Sequence, residues 1–239
     1  MLVFGHRGAS AVAPENTLPA FEAAVAAGAD GIELDVLRCS SGELVVCHDE
    51  QLSRLAGVSW NLLRTPWRAL RELDVGSRMG FAPARLPLLE EVLESLPRRL
   101  WVNVELKCER VDDGGLSLAA VELVQRLGQE DRVVFSSFNP LCLLRVAERA
   151  PHLERALLLD PDRSFTLQDA VIAPLIAKGA IHPHHSMVTA ERVERWHARG
   201  LAVRVWTVND PARARALRAM GVDACITDDP GALRAGLSA

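Results

Sequence analysis

The chain has 239 residues and a formal net charge of −4, from 27 basic and 31 acidic side chains. This balance argues against a nucleic-acid-binding protein and against a surface that docks on anionic membranes. Hydrophobic residues make up 49% of the chain, and no apolar run approaches the roughly 18 residues of a membrane span. We therefore expect a sizeable core, no nucleic-acid partner and no stable membrane insertion.

The cysteines and the first residues bear on the compartment. Five cysteines occur without any C-x-x-C pair, and such an odd count without a pairing framework indicates reduced thiols. The sequence from Met1 runs directly into an apolar stretch and lacks the basic and apolar pattern of a secretion signal. The expected localisation is therefore cytoplasmic.

Strands and helices are predicted to alternate along most of the chain. Eight apolar or alternating runs predict strands at residues 2–6, 31–37, 101–107, 133–136, 156–159, 179–182, 201–208 and 224–227. Helical patterns follow them at residues 18–25, 88–96, 117–127, 140–149, 167–177, 190–198, 211–220 and 230–236. Such repetition implies a parallel sheet, and eight units at this length favour a closed (β/α)8 TIM barrel over an open doubly wound sheet.

Two stretches fall outside this alternation. Residues 44–47 form an extra extended run after the second strand. Residues 51–85 show no sustained period, and a loop of that length is seldom structureless inside a compact domain. We predict one barrel domain over residues 1–239, with a small insertion after the second strand, at about residues 51–85, that covers one end of the barrel.

Polar side chains collect where the predicted strands end, which is the edge at which barrel enzymes build their active sites. These side chains are His6, Arg7, Glu33, Asp35, Glu105, Lys107, Ser136, Ser137, His182, Trp206, Asn209, Thr227 and Asp228, and His48 ends the extra run. Polar residues at one edge of so many strands are expected to converge on a single cleft. No glycine-rich nucleotide motif is present, so a nucleotide cofactor is not predicted.

Three acids in this set suggest a metal site. Glu33 and Asp35 are two residues apart and face the same side of a strand, and Glu105 lies at the same level of another strand. Carboxylates this close repel each other unless a cation lies between them or one is protonated. Three oxygen ligands suit Mg²⁺ or Ca²⁺. The alternative is a solvated strand face without a metal.

Two histidines and two basic side chains complete the candidate site. His6 and His48 can act as an acid–base pair because imidazole titrates near neutral pH, although a histidine at a strand end is often structural. Arg7 and Lys107 are suited to bind an anion such as phosphate, or alternatively to pair with the nearby acids. Trp206 is expected either to form an apolar wall or to pack in the core.

Two further features lead to less specific expectations. The histidines at 182, 184 and 185 lack a cysteine at zinc spacing, which favours a surface loop over a metal site. Arg204 has the same alternation parity as Trp206, so both would face the barrel interior. Either a bulge breaks this alternation or Arg204 is paired inside the barrel.

Taken together, the motifs of this chain resemble those of the glycerophosphodiester phosphodiesterase family, in its cytosolic bacterial form. The matching pieces span nearly the whole chain in the family's order and are H-R-G at 6–8, P-E-N-T at 14–17, E-L-D at 33–35, H-D at 48–49, V-E-L-K at 104–107, S-S-F at 136–138, V-W-T-V-N at 205–209 and T-D-D-P at 227–230. One departure is at residues 53–57, where S-R-L-A-G replaces the usual D-R-T-T-like run.

The resemblance implies a barrel with a small insertion and a metal-dependent hydrolysis of glycerophosphodiesters to an alcohol and sn-glycerol 3-phosphate. It implies that Glu33, Asp35 and Glu105 hold a divalent cation, Mg²⁺ or Ca²⁺. The substrate's own 2-hydroxyl would attack phosphorus to give a cyclic phosphate, which water then opens. The partner is thus a small-molecule glycerophosphodiester, and a homodimer is left open.

By the same resemblance, His6 and His48 serve as general base and general acid, Arg7 and Lys107 contact phosphate, and Trp206 lines the glycerol side. We expect the histidine nearer to the metal to be the base and the one beside an acid such as Asp49 to be the acid, which makes His48 the acid. Two alternatives are a related barrel phospholipase of the lyase type, which stops at the cyclic phosphate, and a non-catalytic module that binds phosphodiesters.

Overall fold

Eight parallel strands close into a barrel in this computed structural model, which describes residues 1–162 and 172–238. The described residues form these eight strands and one short additional strand, β3: β1 (Leu2–His6), β2 (Gly31–Arg38), β3 (Leu44–Val46), β4 (Trp101–Leu106), β5 (Val133–Ser137), β6 (Glu154–Leu159), β7 (Gly179–Pro183), β8 (Ala202–Val205) and β9 (Ala224–Thr227). The sheet order is β1-β9-β8-β7-β6-β5-β4-β2, and parallel pairing of β1 with β2 closes the ring. The short β3 pairs antiparallel with the end of β2. The predicted TIM barrel is confirmed.

Helices surround the barrel and follow its strands in sequence. Their bounds are Leu18–Ala26, Leu89–Ser95, Leu116–Arg126, Pro140–Arg149, Ala173–Ile176, Ala190–His197, Pro211–Ala219 and Pro230–Ser238. Asn139, Thr189 and Asp210 cap three of them by accepting hydrogen bonds from backbone N–H groups of the first turn. Of the helix predicted at residues 167–177, residues 167–171 lie outside the described residues.

Near the amino ends of the strands, apolar side chains and an ion pair fill the barrel interior. Phe4, Ala224 and Ile226 form one buried cluster there. Arg204 is 6% exposed and places its guanidinium 2.7 Å from Glu154, between the rings of Phe4 and Trp101. Pairing inside the barrel is therefore the correct alternative for Arg204. Because this end is packed, a ligand has to enter from the carboxyl ends of the strands.

The stretch at residues 51–85 contains four short helical segments. They are the α-helices Ser53–Ala56 and Trp67–Leu70 and the 3₁₀ helices Leu62–Arg64 and Ser77–Met79. Their buried leucines pack with residues of β2 and β3 in a cluster that includes Leu37, Val45, Leu52, Leu55, Leu62 and Leu70. The insertion is thus anchored beside the end of β2, close to where His48 follows β3.

The described helices also bear on membrane insertion. Among the helices of residues 1–162 and 172–238, none combines the length and the apolar character that crossing a bilayer requires.

Candidate active site

The register of the first strands brings the three acids together. Asp35 on β2 lies beside Glu105 on β4, and Glu33 lies beside His6 on β1. Ligand oxygens of Glu33, Asp35 and Glu105 all lie within 4.8 Å of one another. The three residues are 4%, 1% and 9% exposed, respectively. The acids selected from the sequence therefore form one buried cluster at the carboxyl ends of the strands.

Burial and mutual repulsion set the protonation of this cluster. Burial, together with the charge of Asp35, raises the pKa of Glu33 to about 8. Burial likewise raises the pKa of Glu105. Burial would also raise the pKa of Asp35, but the charges of Arg7 and Lys107 outweigh it and lower the pKa to about 2. Since three buried carboxylates cannot all ionise without a compensating cation, this oxygen-only donor set fits Mg²⁺ or Ca²⁺.

The two basic side chains contact the acidic cluster directly. Arg7 Nε lies 3.2 Å from Asp35 Oδ2, and Lys107 Nζ lies 2.9 Å from Glu105 Oε1. Both side chains are about one-fifth exposed, at 18% and 21%. The alternative of ion pairs with nearby acids is therefore realised, while both side chains also remain on the wall of the cavity beside the cluster.

Each candidate histidine is held by an aspartate through the same ring nitrogen. His6 Nδ1 lies 2.6 Å from Asp228 Oδ1, and His48 Nδ1 lies 2.6 Å from Asp49 Oδ1. Because a carboxylate accepts, Nδ1–H donates in both pairs, which leaves Nε2 for a bound molecule. Burial lowers the pKa of His6, but the hydrogen bond to Asp228 and the charge of Glu33 outweigh it and raise the pKa. The expectation that a neighbouring acid sets His48 apart is wrong, since His6 has one too.

The loop after β1 orients groups toward the acids through two unusual backbone conformations. Arg7 and Asn16 have positive φ angles of 56° and 57°, which are uncommon for residues other than glycine. Arg7 N–H donates to Glu33 Oε2 at 2.9 Å, and Asn16 Nδ2 donates to Asp35 Oδ2 at 2.8 Å. Such strained conformations persist where the surroundings fix them, and they cluster at functional sites.

Several cavities open at this edge of the barrel, and two of them share lining residues. The inner pocket has a volume of about 80 Å³ and is lined by His6, Arg7, Glu33, His48, Asn103, Glu105, Lys107, Phe138, Leu158, Trp206 and Ile226. The outer chamber has a volume of about 690 Å³, and its wall includes Gln51, Ser53 and Arg54 of the insertion. His48, Phe138 and Trp206 line both cavities, so they stand at the junction between the two.

Trp206 is fixed at this junction and presents its ring to the cavities. Its Nε1–H donates to the carbonyl oxygen of His182 at 2.8 Å, and its ring meets that of Phe138 edge-on at 5.5 Å between centroids. The predicted apolar wall therefore describes its position better than core packing does, since Trp206 is only partly buried.

The histidine cluster after β7 is divided by the fold. His182 is fully buried on β7, so its predicted place in a surface loop is wrong, while His184 and His185 are partly exposed with ring centroids 4.4 Å apart. Burial lowers the pKa of His182 well below its usual value. Within residues 1–162 and 172–238, the three acids are the only His, Cys, Asp or Glu group that could hold a metal ion. All five cysteines lie in these ranges and are free and buried.

Comparison with known proteins identifies the family. A model of the glycerophosphoryl diester phosphodiesterase family matches residues 6–232. The chain belongs to this family. It is 35% identical to a glycerophosphodiester phosphodiesterase of Caldanaerobacter subterraneus subsp. tengcongensis, over 97% of this chain and 96% of that one. It is also 35% identical to the Bacillus altitudinis enzyme of the same name, over 95% and 94%.

A solved structure of a phosphodiesterase family member gives a direct comparison of the folds. The Oleispira antarctica phosphodiesterase in complex with the product sn-glycerol-3-phosphate superposes with a TM-score of 0.89, at 29% identity, over 100% of this chain and 97% of that one. The match covers all of this chain and nearly all of the other. The family resemblance read from the motifs is confirmed.

The phosphodiesterase fold also places residues in the site that sequence reasoning did not assign. Arg54, from the insertion, donates to both oxygens of Glu15 at 2.9 and 2.7 Å and to Asp49 at 2.6 Å, and Glu15 in turn pairs with Arg7 at 2.8 Å. These ion pairs connect the insertion to Arg7, a candidate phosphate-binding residue, and to Asp49, which holds the candidate acid His48. The motifs contained Glu15, Asn16 and Asp228, but no spacing rule indicates partners that are 39 or 222 residues apart.

Proposed function

We propose that this protein hydrolyses glycerophosphodiesters to an alcohol and sn-glycerol 3-phosphate, using a divalent cation and two histidines. The observation that carries the proposal is the buried cluster of Glu33, Asp35 and Glu105 in the same pocket as His6 and His48, each histidine held by an aspartate. Family membership supports the reaction class, and the similar Oleispira antarctica structure binds sn-glycerol-3-phosphate.

The acids and bases of the pocket divide into two tasks. Glu33, Asp35 and Glu105 would hold the cation, Mg²⁺ or Ca²⁺, which when bound supplies positive charge to the phosphoryl oxygens. Arg7 and Lys107 face the same cavity and would contact the phosphate, and Trp206 would lie against the glycerol side. Fixed positive groups around phosphorus stabilise the charge that develops there during transfer.

The histidines would move the protons of a two-step reaction. In the first step, His6 takes the proton of the substrate's 2-hydroxyl, the bond from that oxygen to phosphorus forms, and the bond to the alcohol breaks. His48 gives its proton to the departing alcohol oxygen. In the second step, water opens the cyclic phosphate with the two histidines in exchanged roles.

The cavities support the choice of His48 as the acid. His48 lines both the inner pocket and the outer chamber, whereas His6 lines the inner pocket and a separate cavity of about 490 Å³ beside Asp228. The inner pocket, at about 80 Å³, is much smaller than the outer chamber, at about 690 Å³, so we place the glycerol end in the inner pocket and the alcohol in the outer chamber. The histidine at the junction is then the one beside the leaving oxygen.

An assay of the purified protein tests the proposal directly. Glycerophosphodiesters with several alcohols are incubated with and without a chelator, and the products are followed by phosphorus NMR. We expect sn-glycerol 3-phosphate as the final product and no turnover after chelation. A cyclic phosphate that accumulates and stays closed would instead favour the lyase-type phospholipase, and binding without turnover would favour the non-catalytic module.

Stability of the metal-free protein is expected to fall as the pH rises toward 8. A folded-state pKa of Glu33 of about 8 lies above the ordinary value of about 4.3, so its favourable contribution is complete below the ordinary value and is lost between the two. Asp35 acts oppositely but only at low pH, because its folded-state pKa is about 2. Thermal unfolding of chelator-treated protein measures this, and Glu33→Gln should flatten the decline. An equal decline in that variant would contradict the assignment to Glu33.

The insertion is expected to influence which alcohol leaves. Gln51 and Ser53 are exposed and line the outer chamber, whereas Arg68 is an exposed insertion residue outside it. The double variant Gln51→Ala/Ser53→Ala should change the ratio of kcat/KM between two alcohols while leaving the melting temperature within about 1 °C, since exposed substitutions cost little. Arg68→Ala should change neither quantity. If an insertion exchanged from a relative also leaves the ratio unchanged, the stretch serves only as a scaffold.

A further inference from the structure

The two histidines of the site differ in what holds their aspartates. Asp228, the partner of His6, accepts hydrogen bonds from Ser10 Oγ at 3.1 Å and from Asn209 Nδ2 at 2.5 Å. Ser10 lies in the loop after β1, and Asn209 lies in the loop after β8. The support of His6 therefore comes from the barrel itself.

Asp49, the partner of His48, is held by the insertion instead. Its Oδ1 bonds His48, and its Oδ2 accepts a hydrogen bond from Arg54 Nε at 2.6 Å. Among the described residues, these are the two side chains that bond the Asp49 carboxylate. The Asp49 side chain is 20% exposed, so the protein around it does not fix it by packing alone. Its second partner, Arg54, therefore decides how firmly it holds the imidazole ring.

Arg54 is fixed through both its backbone and its guanidinium. Its neighbours in the first helix of the insertion and just before it, Leu55 and Leu52, are 3% and 0% exposed and pack in the cluster under the insertion. Its Nη1 and Nη2 donate to the two oxygens of Glu15, at 2.9 and 2.7 Å. Such two-point pairs between arginine and a carboxylate fix direction as well as distance. The Nε–H is thereby aimed at Asp49.

We propose that Arg54 is the positioning residue of the general acid, because it acts through Asp49 to hold His48 toward the oxygen of the leaving alcohol. The inference rests on the proposed function and adds to it a residue from outside the barrel. Arg54 touches no reacting atom in this arrangement, so its effect passes through His48. Protonation of the leaving group then depends on docking of the insertion against the loop after β1, where Glu15 lies.

A cycle of single and double variants tests whether Arg54 acts through His48. Arg54→Gln should lower kcat on a glycerophosphodiester by about 10- to 100-fold, with little change in KM, since a misplacement of about 1 Å costs that much. In the His48→Ala background the same substitution should cost little further rate, because no ring is left to position. Losses that multiply would show that Arg54 acts independently of His48, and they would overturn the proposal.

A substrate with a nitrophenol-like leaving group shows which histidine a residue serves. Arg54→Gln should regain most of its rate on this substrate, as His48→Ala should, because the leaving group hardly needs a proton. Ser10→Ala removes one hydrogen bond from the support of His6 and should lose about two- to tenfold on both substrates alike. A loss in Arg54→Gln that persists on the activated substrate would contradict the proposal.

Two further variants separate this role from a general loosening of the insertion. Arg54→Lys keeps the charge and the aliphatic stem, but one ammonium group cannot replace the fork that bonds Asp49 and both oxygens of Glu15. It should lose less rate than Arg54→Gln and regain it on the activated substrate. Arg71→Gln is the matched control, since Arg71 is an insertion arginine that pairs with Glu72 at 3.5 Å on the exposed surface. It should keep native rates, and an equal loss there would overturn the specific role of Arg54.

Failure of this inference can be told apart from failure of the proposed function. Full activity of His48→Ala would remove the general acid from the mechanism and would overturn both. An impaired His48→Ala protein beside a fully active Arg54→Gln protein would overturn the inference alone, because Asp49 would then hold the ring without help.

Discussion

Glu33→Gln, Asp35→Asn and Glu105→Gln should each abolish most of the activity and weaken the binding of a divalent cation while the protein stays folded. The three side chains are buried and one oxygen of each lies within 4.8 Å of the others, so each substitution removes an oxygen ligand that water cannot easily replace. Loss of a residue that merely supports a metal ligand costs about 10–100-fold, and we expect a larger effect here.

Calorimetric titration of the chelator-treated variants with Mg²⁺ and Ca²⁺ measures this loss, and circular dichroism shows that the fold is retained. Glu191→Gln is a suitable control because its side chain is 86% exposed on the outer helix Ala190–His197. It should bind the cation and turn over substrate as the native protein does. Full activity in metal-free protein, or native cation affinity in all three variants, would refute the metal site.

His6→Ala and His48→Ala should each lower the turnover rate by about 10²–10⁴-fold, the usual contribution of a general acid or base. Both histidines line the inner pocket, and because an aspartate holds Nδ1 of each, Nε2 is left for a bound molecule. The doubly substituted protein should lose less than the product of the two single losses, since the groups act as a unit. His152→Ala is a matched control, since His152 also bonds a carboxylate, Glu130 at 2.7 Å, but on the exposed surface.

A substrate with a nitrophenol-like leaving group separates the two roles. Such a group hardly needs a proton, so the variant that lacks the acid should regain much of its rate, and the variant that lacks the base should not. We expect His48→Ala to recover, because His48 borders the outer chamber. An equal response of both variants would show that the division of labour is wrong, and full activity of both on the natural substrate would remove the histidines from the mechanism.

Most of the barrel could be predicted from the sequence because its strands and helices have different apolar periods. The boundaries were less certain: β8 ends at Val205 rather than at residue 208, and beyond it Trp206 makes only an isolated parallel bridge with His184. The sequence contained two indications for His182. The strand predicted at residues 179–182 places it correctly, since β7 extends through His182 to Pro183, whereas grouping it with the partly exposed His184 and His185 suggested a surface loop.

The residues that form the site were easier to predict than the hydrogen bonds and ion pairs between them. Strand ends identified the acids, the histidines and the basic residues, since a parallel barrel places all of these ends on one side. The partners of these residues could not be found in this way. Asp228 was recognised only as a polar strand end, and the bonds of Arg54 to Glu15 and Asp49 depend on how the insertion folds back over the loop after β1.

The pairing of His6 with Asp228 lies on the seam where β9 meets β1, and 222 residues separate the two. Nearly the whole chain has to be synthesised before this pair can form, and the loop it closes is among the longest that the sequence allows. Any partly folded species with an open seam lacks a properly held His6. Recovery of catalysis during refolding should therefore report the joining of the first and last strands, separately from the earlier growth of secondary structure.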